Sequence, residues 1–197
     1  MENFFIELGL SWVISKILPY LFMLIIGIGF QLMLRRFIVR RSINRLLFVW
    51  LITFVPIVIY FAFVPIYQGD FSNTFVNLKK SASTEELSNV DMLVVTIPNC
   101  PFCKESINVL KKIKKRKPKL RIKMLVCSSE NSALNEYQKI ISHDFDIALA
   151  KNKLGLAKLT NYIFPSFITV VNGKMDKIWT NDHFGLVARD YVESNLH

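Results

Sequence analysis

Leu46 to Tyr67, "LLFVWLITFVPIVIYFAFVPIY", is a run of 22 residues without a charge, and it constrains this chain more than any other feature. At the helical rise of about 1.5 Å per residue such a run crosses about 30 Å of hydrocarbon, so a transmembrane helix is predicted. An earlier stretch, Ser11 to Leu34, is also long enough, although Lys16 and Pro19 interrupt its first third. A lysine can snorkel and a proline near a helix end is tolerated, so a second span is predicted. A cleaved signal peptide fits poorly, because residues 1 to 10 carry Glu2 and Glu7 with no basic residue and the apolar run exceeds a signal core. Between the spans lie Arg35, Arg36, Arg40, Arg41 and Arg45, whereas no Lys or Arg follows the second span until Lys79. The positive-inside rule then places this loop in the cytoplasm, and both termini and everything after about residue 68 outside it.

The expected organisation is a two-helix membrane hairpin at 1–67, a polar tether at 68–88 and a soluble domain at 89–197. The formal net charge of +10 is therefore not a nucleic-acid signal. Five of those charges belong to the loop between the spans, and no nucleic-acid recognition motif is present. The remaining cluster, "KKIKKRKPK" at 111–119, reads as a solvated helix end, with anionic lipid or an acidic partner as the alternative.

Within the soluble part, "VDMLVVTI" (90–97) and "LRIKMLVC" (120–127) read as strands, and "PFCKESINVLKKIKK" (101–115) has helical periodicity. Residues 130 to about 161 read as mainly helical, in two pieces. "PSFITVV" (165–171), Asn172-Gly173 and "KMDKIWT" (174–180) give a hairpin, since Asn-Gly suits the positive φ angles of a two-residue turn. An amphipathic helix over 185–196 closes the chain. The order β-α-β-α-β-β-α predicts an α/β domain with a central mixed sheet flanked by helices.

Two of the three cysteines, Cys100 and Cys103, stand three apart between the first strand and its helix. With Cys100 at the helix N-terminus, Pro101 falls at the first helical position, where a missing N–H costs nothing. The free amides and the positive end of the helix dipole favour a Cys100 thiolate. Cys103 lies about one turn further in, on the face shared by Ile107 and Leu110, and should be less exposed. Cys100 would then attack a disulfide and Cys103 would resolve the mixed disulfide. A zinc site needs two further ligands, and Cys127, His143, His183 and His197 are not at paired spacing, so no metal is expected. Cys127 reads as a buried thiol at a strand end.

Over about residues 88 to 196 the chain resembles the thioredoxin superfamily. The resemblance rests on strand, "CPFCK" and helix, followed by "FPSFITVVNGK", which is similar to the family's cis-proline strand and hairpin. It implies a thioredoxin-like fold in which Pro165, preceded by Phe164, is cis and lies beside the cysteine pair, where a substrate strand pairs with backbone near Phe164. Two departures are visible: Asn99 stands where the family usually has Trp before the first cysteine, and Val94 where it has a buried acid. Pro101-Phe102 is closer to the Pro-Tyr of glutaredoxins than to the Gly-Pro of thioredoxins, without a glutathione-binding set. The segment between the cysteines and Pro165 is roughly 20 residues longer than a minimal thioredoxin needs, which is similar to membrane-anchored relatives of the TlpA and ResA type.

These readings converge on a membrane-tethered thiol–disulfide oxidoreductase that acts on protein thiols and disulfides and needs no cofactor. Residues 1–99 contain no cysteine, so the spans cannot relay electrons by dithiol exchange and a separate redox partner is required. Phe102 supplies no donor to the Cys100 thiolate, which leans the pair toward reduction rather than oxidation of clients. The rivals are a metal chaperone or assembly factor that holds an ion between the two sulfurs, and a scaffold without redox chemistry.

Overall fold

The computed structural model describes residues 2–38, 43–77, 87, 89–141 and 144–196, with backbone alone at 34–38 and 43–49. It divides into two units, Met1–Gln68 and Gly69–His197.

The first unit contains α1 (Glu2–Glu7), α2 (Trp12–Ile38) and α3 (Ile43–Phe63). Trp12–Met33 within α2 is long and apolar enough to cross a membrane. It is the one described stretch that meets this test; of α3, Trp50–Phe63 forms a shorter apolar helix. The uncharged run at 46–67 thus falls largely in a 21-residue helix whose first turns lie outside the described side chains, and its described apolar part is shorter than a span. Arg40 and Arg41, and the side chains of Arg35, Arg36 and Arg45, also lie outside them, as does Lys79. The two helices pack closely. Thr53 Oγ1 donates to Gln31 Oε1 at 2.8 Å, Tyr20 and Tyr60 meet edge to face at 4.9 Å, and a Cβ on Gly27 would collide with the Thr53 carbonyl. Small residues permit such close backbone approach, and a polar side chain in an apolar setting needs a partner. Lys16 has a local partner. It is buried and lies 3.6 Å from Glu2 of α1, because a local carboxylate stabilises the ammonium where it stands.

The second unit is built on β2 (Met92–Thr96), whose five side chains are all buried. A strand covered on both faces needs a continuous apolar run rather than an alternating one, and "MLVVT" supplies it. The helix α4 (Pro101–Arg116) follows, and then β3 (Ile122–Val126), parallel to β2 with Val95 opposite Leu125. Cys103, Ser106, Ile107, Leu110 and Ile113 form the buried stripe of α4, the spacing expected of one helix face. Its basic end is locally engaged. Lys111 Nζ lies 3.2 Å from Asp144 Oδ2 and donates to the Ile140 carbonyl, Lys114 Nζ donates to the Leu120 carbonyl, and Arg116 pairs with Glu193 at 3.0 Å.

After α5 (Asn131–Ile141) comes a strand that the periodicity does not reveal, β4 (Asp146–Leu149), parallel to β3. Only α6 (Lys153–Leu159) continues the helical reading of 130–161. β5 (Ser166–Val171) and β6 (Lys174–Thr180) form the expected hairpin, and Asn172 and Gly173 both have positive φ, at 53° and 71°. A short 3-10 turn, Asn181–His183, leads into α7 (Leu186–Asn195).

The tether reading at 68–88 also needs correction, since Val76–Asn77 forms β1, antiparallel to β6. Upstream of it, Asp70 accepts from the Leu186 amide at 2.8 Å and Ser72 Oγ lies 3.0 Å from His183 Nδ1. A Cβ on Gly185 would collide with the carbonyl oxygen of Gly69. Phe75 packs on Trp179 with ring centroids 5.8 Å apart. The six-stranded sheet runs β1-β6-β5-β2-β3-β4. A β-α-β unit joined to an antiparallel hairpin through β5 beside β2 is a thioredoxin-like α/β fold with a mixed sheet.

At the start of β2, Asp91 accepts three hydrogen bonds from Arg121, two of them from the guanidinium to its two carboxylate oxygens. Burial pushes the Asp91 carboxyl up, but these bonds and the Arg121 charge more than offset it and hold it below the usual carboxylate range. A depressed folded pKa stabilises above the unfolded value and ceases to do so as pH falls through the folded one. Asp91→Asn is therefore expected to lower the unfolding midpoint at pH 7 by about 2–4 °C, a modest effect because Arg121 is half exposed. In acid the gap from the unmodified chain should close, which a calorimetric series over pH would follow.

Candidate active site

Cys100 caps α4 with extended backbone, φ −92° and ψ 110°, and its Sγ accepts from the Cys103 amide at 3.1 Å. Pro101 follows at the first helical position, as its fixed φ favours. One turn of helix returns the chain to the same side, so Cys103 meets Cys100; the two form a disulfide with Cα atoms 5.2 Å apart. Their environments differ as expected: Cys100 keeps 7% of its surface and Cys103 none. Phe102 between them is 59% exposed. Of the two cysteines, Cys100 alone keeps any surface. When the pair is reduced, an N-terminal amide and the helix dipole act on the Cys100 sulfur and favour its thiolate.

The second predicted group lies at the same end of the sheet. The Phe164–Pro165 peptide is cis, and Ser166, the next residue, pairs with Val95 of β2. Ser166 Oγ donates to the Ile163 carbonyl at 2.7 Å. Pro165 therefore stands where β2 ends and the loop to Cys100 begins. Phe164 is partly buried against the core that contains Val95 and Ile168. Val94, in place of the family's acid, is fully buried on β2.

The third cysteine, Cys127, is outside the disulfide and half-buried rather than fully buried, because it lies just beyond β3. His183 faces Ser72, while His143 and His197 lie outside the described residues.

Two residues that the sequence reading does not single out hold the cysteine loop. Tyr137, fully buried on α5, donates its hydroxyl to the Ile97 carbonyl at 2.6 Å. Burial, with Glu136 adding to it, pushes that phenol up to about 12, so it remains a donor. Its neighbour Glu136 lies 2.5 Å from Lys104 Nζ and accepts from the Asn99 amide at 3.5 Å. The hydrogen bond from Lys104 foremost holds the Glu136 carboxyl below its ordinary value. Asn99 itself adopts φ 54°, a left-handed conformation that asparagine tolerates. The loop before Cys100 is thus held from α5 on both sides of Pro98. These partners are 37 and 40 residues distant in sequence, so no local pattern points to them.

No family model matches the chain, and no curated protein matches it. Among solved structures it is similar to a secreted Mycobacterium tuberculosis disulfide oxidoreductase described as homologous to E. coli DsbE, at 16% identity and a TM-score of 0.38, over 52% of this chain and 83% of that one. It is similar to a thiol:disulfide interchange protein from a Bacteroides species, at 14% identity and a TM-score of 0.42, over 63% and 90%. A thioredoxin-like protein from Bacteroides caccae is similar at 16% identity and a TM-score of 0.41, over 73% and 62%. These likenesses are slight, and the chemistry of the site is read from its own geometry.

Proposed function

We propose that the chain is a membrane-tethered thiol–disulfide oxidoreductase that exchanges disulfides with protein substrates through Cys100 and Cys103 on the extracytoplasmic side. The observation that carries this reading is a bonded cysteine pair across one helical turn, whose first member caps the helix and keeps a little surface while the second keeps none. In the reducing direction, the Cys100 thiolate attacks a client disulfide, one client sulfur leaves with the electron pair, and a mixed disulfide forms. Cys103 then attacks Cys100, the second client sulfur leaves as a thiolate, and the protein ends with its own disulfide. Two electrons have passed to the client, so a separate thiol partner must reduce the protein for another turn. Phe102, an apolar residue between the sulfurs, supports reduction over oxidation. Backbone near Phe164 and the cis Pro165 serves as the edge against which a client segment lies. Trp12–Met33 and Ile43–Phe63 anchor the protein as a two-pass hairpin, with the arginine-rich loop inside and both termini outside.

The test is Cys103→Ala in the full chain, expressed in cells. Attack still occurs while resolution does not, so disulfide-linked adducts should accumulate, and a membrane-impermeant thiol reagent applied to intact cells should block their formation. An absence of adducts, with Cys100 reduced and the protein folded, would refute exchange. Adducts that the impermeant reagent cannot prevent would refute the topology.

A further inference from the structure

A cavity of about 160 Å³ lies beside the first half of α4, with Ser106 of its buried stripe among the lining residues. Phe102 and Val109 line it from α4, Phe167 from the start of β5, and Phe184 and Arg189 from the chain after β6. Phe167 and Phe184 are buried and stacked, with centroids 3.8 Å apart and planes 14° apart, and so make a fixed aromatic wall. Phe102, the ring between the two cysteines, borders the cavity and remains largely exposed. Phe102 thus brings one wall of the cavity beside the cysteine turn, although neither cysteine lines it. A volume of about 150 Å³ holds one benzene ring, so the cavity matches one aromatic side chain and is too small for several residues. Its charges oppose each other, since Glu105 lines it together with Arg189. That balance disfavours an acidic or basic occupant and leaves polar groups for a ring hydroxyl.

We infer that this cavity takes one aromatic side chain, Phe or Tyr, of the client segment whose cysteine is attacked by Cys100. The inference rests on the oxidoreductase reading above and names the substrate class for it. An extended client segment advances about 3.3 Å per residue and places alternate side chains on one face. The residue two positions from the attacked cysteine then lies about 7 Å away on the same face. Phe102, two residues after Cys100 at the start of α4, places the nearer wall of the cavity within that reach.

The experiment uses the reduced full chain in detergent and peptides whose single cysteine is joined by a disulfide to nitrothiobenzoate. Attack of Cys100 breaks that bond, forms a new one to the peptide sulfur, and releases the yellow nitrothiobenzoate anion. The peptides differ only in the residue two positions from cysteine: Phe, Tyr, Leu, Ala or Asp. The Phe and Tyr peptides should react about tenfold faster than the Ala peptide, with Leu between them. Val109→Trp, which fills the cavity, should bring the Phe-to-Ala ratio near one. Val109→Ala, a milder change that enlarges it, should favour a Trp peptide over Phe. Equal rates for all peptides, a fastest reaction with Asp, or an unchanged ratio in both Val109 variants would overturn the inference while leaving the oxidoreductase reading intact. If no peptide releases the anion, that reading itself falls.

Discussion

Cys100→Ala in the full chain is expected to lower the rate of disulfide exchange by on the order of 10³-fold or more. The expectation follows from access and from electrostatics together. Cys103 is sealed from solvent and cannot reach an external disulfide once its neighbour is gone. Cys127 is partly accessible, but it follows β3 rather than capping a helix, so it should react as an ordinary thiol. The reduced protein, mixed with a small aromatic disulfide at pH 7 and followed by thiolate absorbance, gives the rate directly. A Cys100→Ala protein that reacts as fast as the unmodified chain would move the nucleophile to Cys127.

The second large effect concerns stability. Leu110 lies fully buried in the stripe of α4 that also carries Cys103 and Ile107. Truncation to alanine removes three heavy atoms from a position without slack, and the cost is about 2–5 kcal/mol from lost transfer energy and the cavity left behind. Phe102→Ala, on the same helix but largely exposed, should cost far less. The pair of variants, compared by denaturant unfolding of the full chain, separates the packing role of α4 from its chemical role. Similar losses in the two would mean that the burial assigned to α4 is wrong.

The parts of this site legible in the sequence are those encoded locally. The cap, the proline after it and the second cysteine one turn on depend on residues within four positions of one another, and the chain places them as read. The Asn172-Gly173 turn is local in the same way, and so is the continuous apolar run of β2. What escaped notice depends on distant partners. β4 is four residues long, at a sheet edge, and its Asp-Ile-Ala-Leu sequence is as compatible with a helix as with a strand. Its pairing with β3, rather than its own propensity, decides its state. Glu136 and Tyr137 read as ordinary members of an amphipathic helix, and only the fold brings them to Asn99 and Ile97. The supposed tether looked featureless because a two-residue strand and a few backbone contacts leave no periodicity.

The place where residues 69–77 join the second unit also determines where the protein can be cut. A fragment begun at residue 89 would discard β1, leave the outer edge of β6 without its partner, and remove the carbonyl that receives the Leu186 amide. Unpaired strand edges recruit other chains. A water-soluble version for crystallisation or kinetics should therefore begin at Gly69, keeping the seam that closes one side of the sheet.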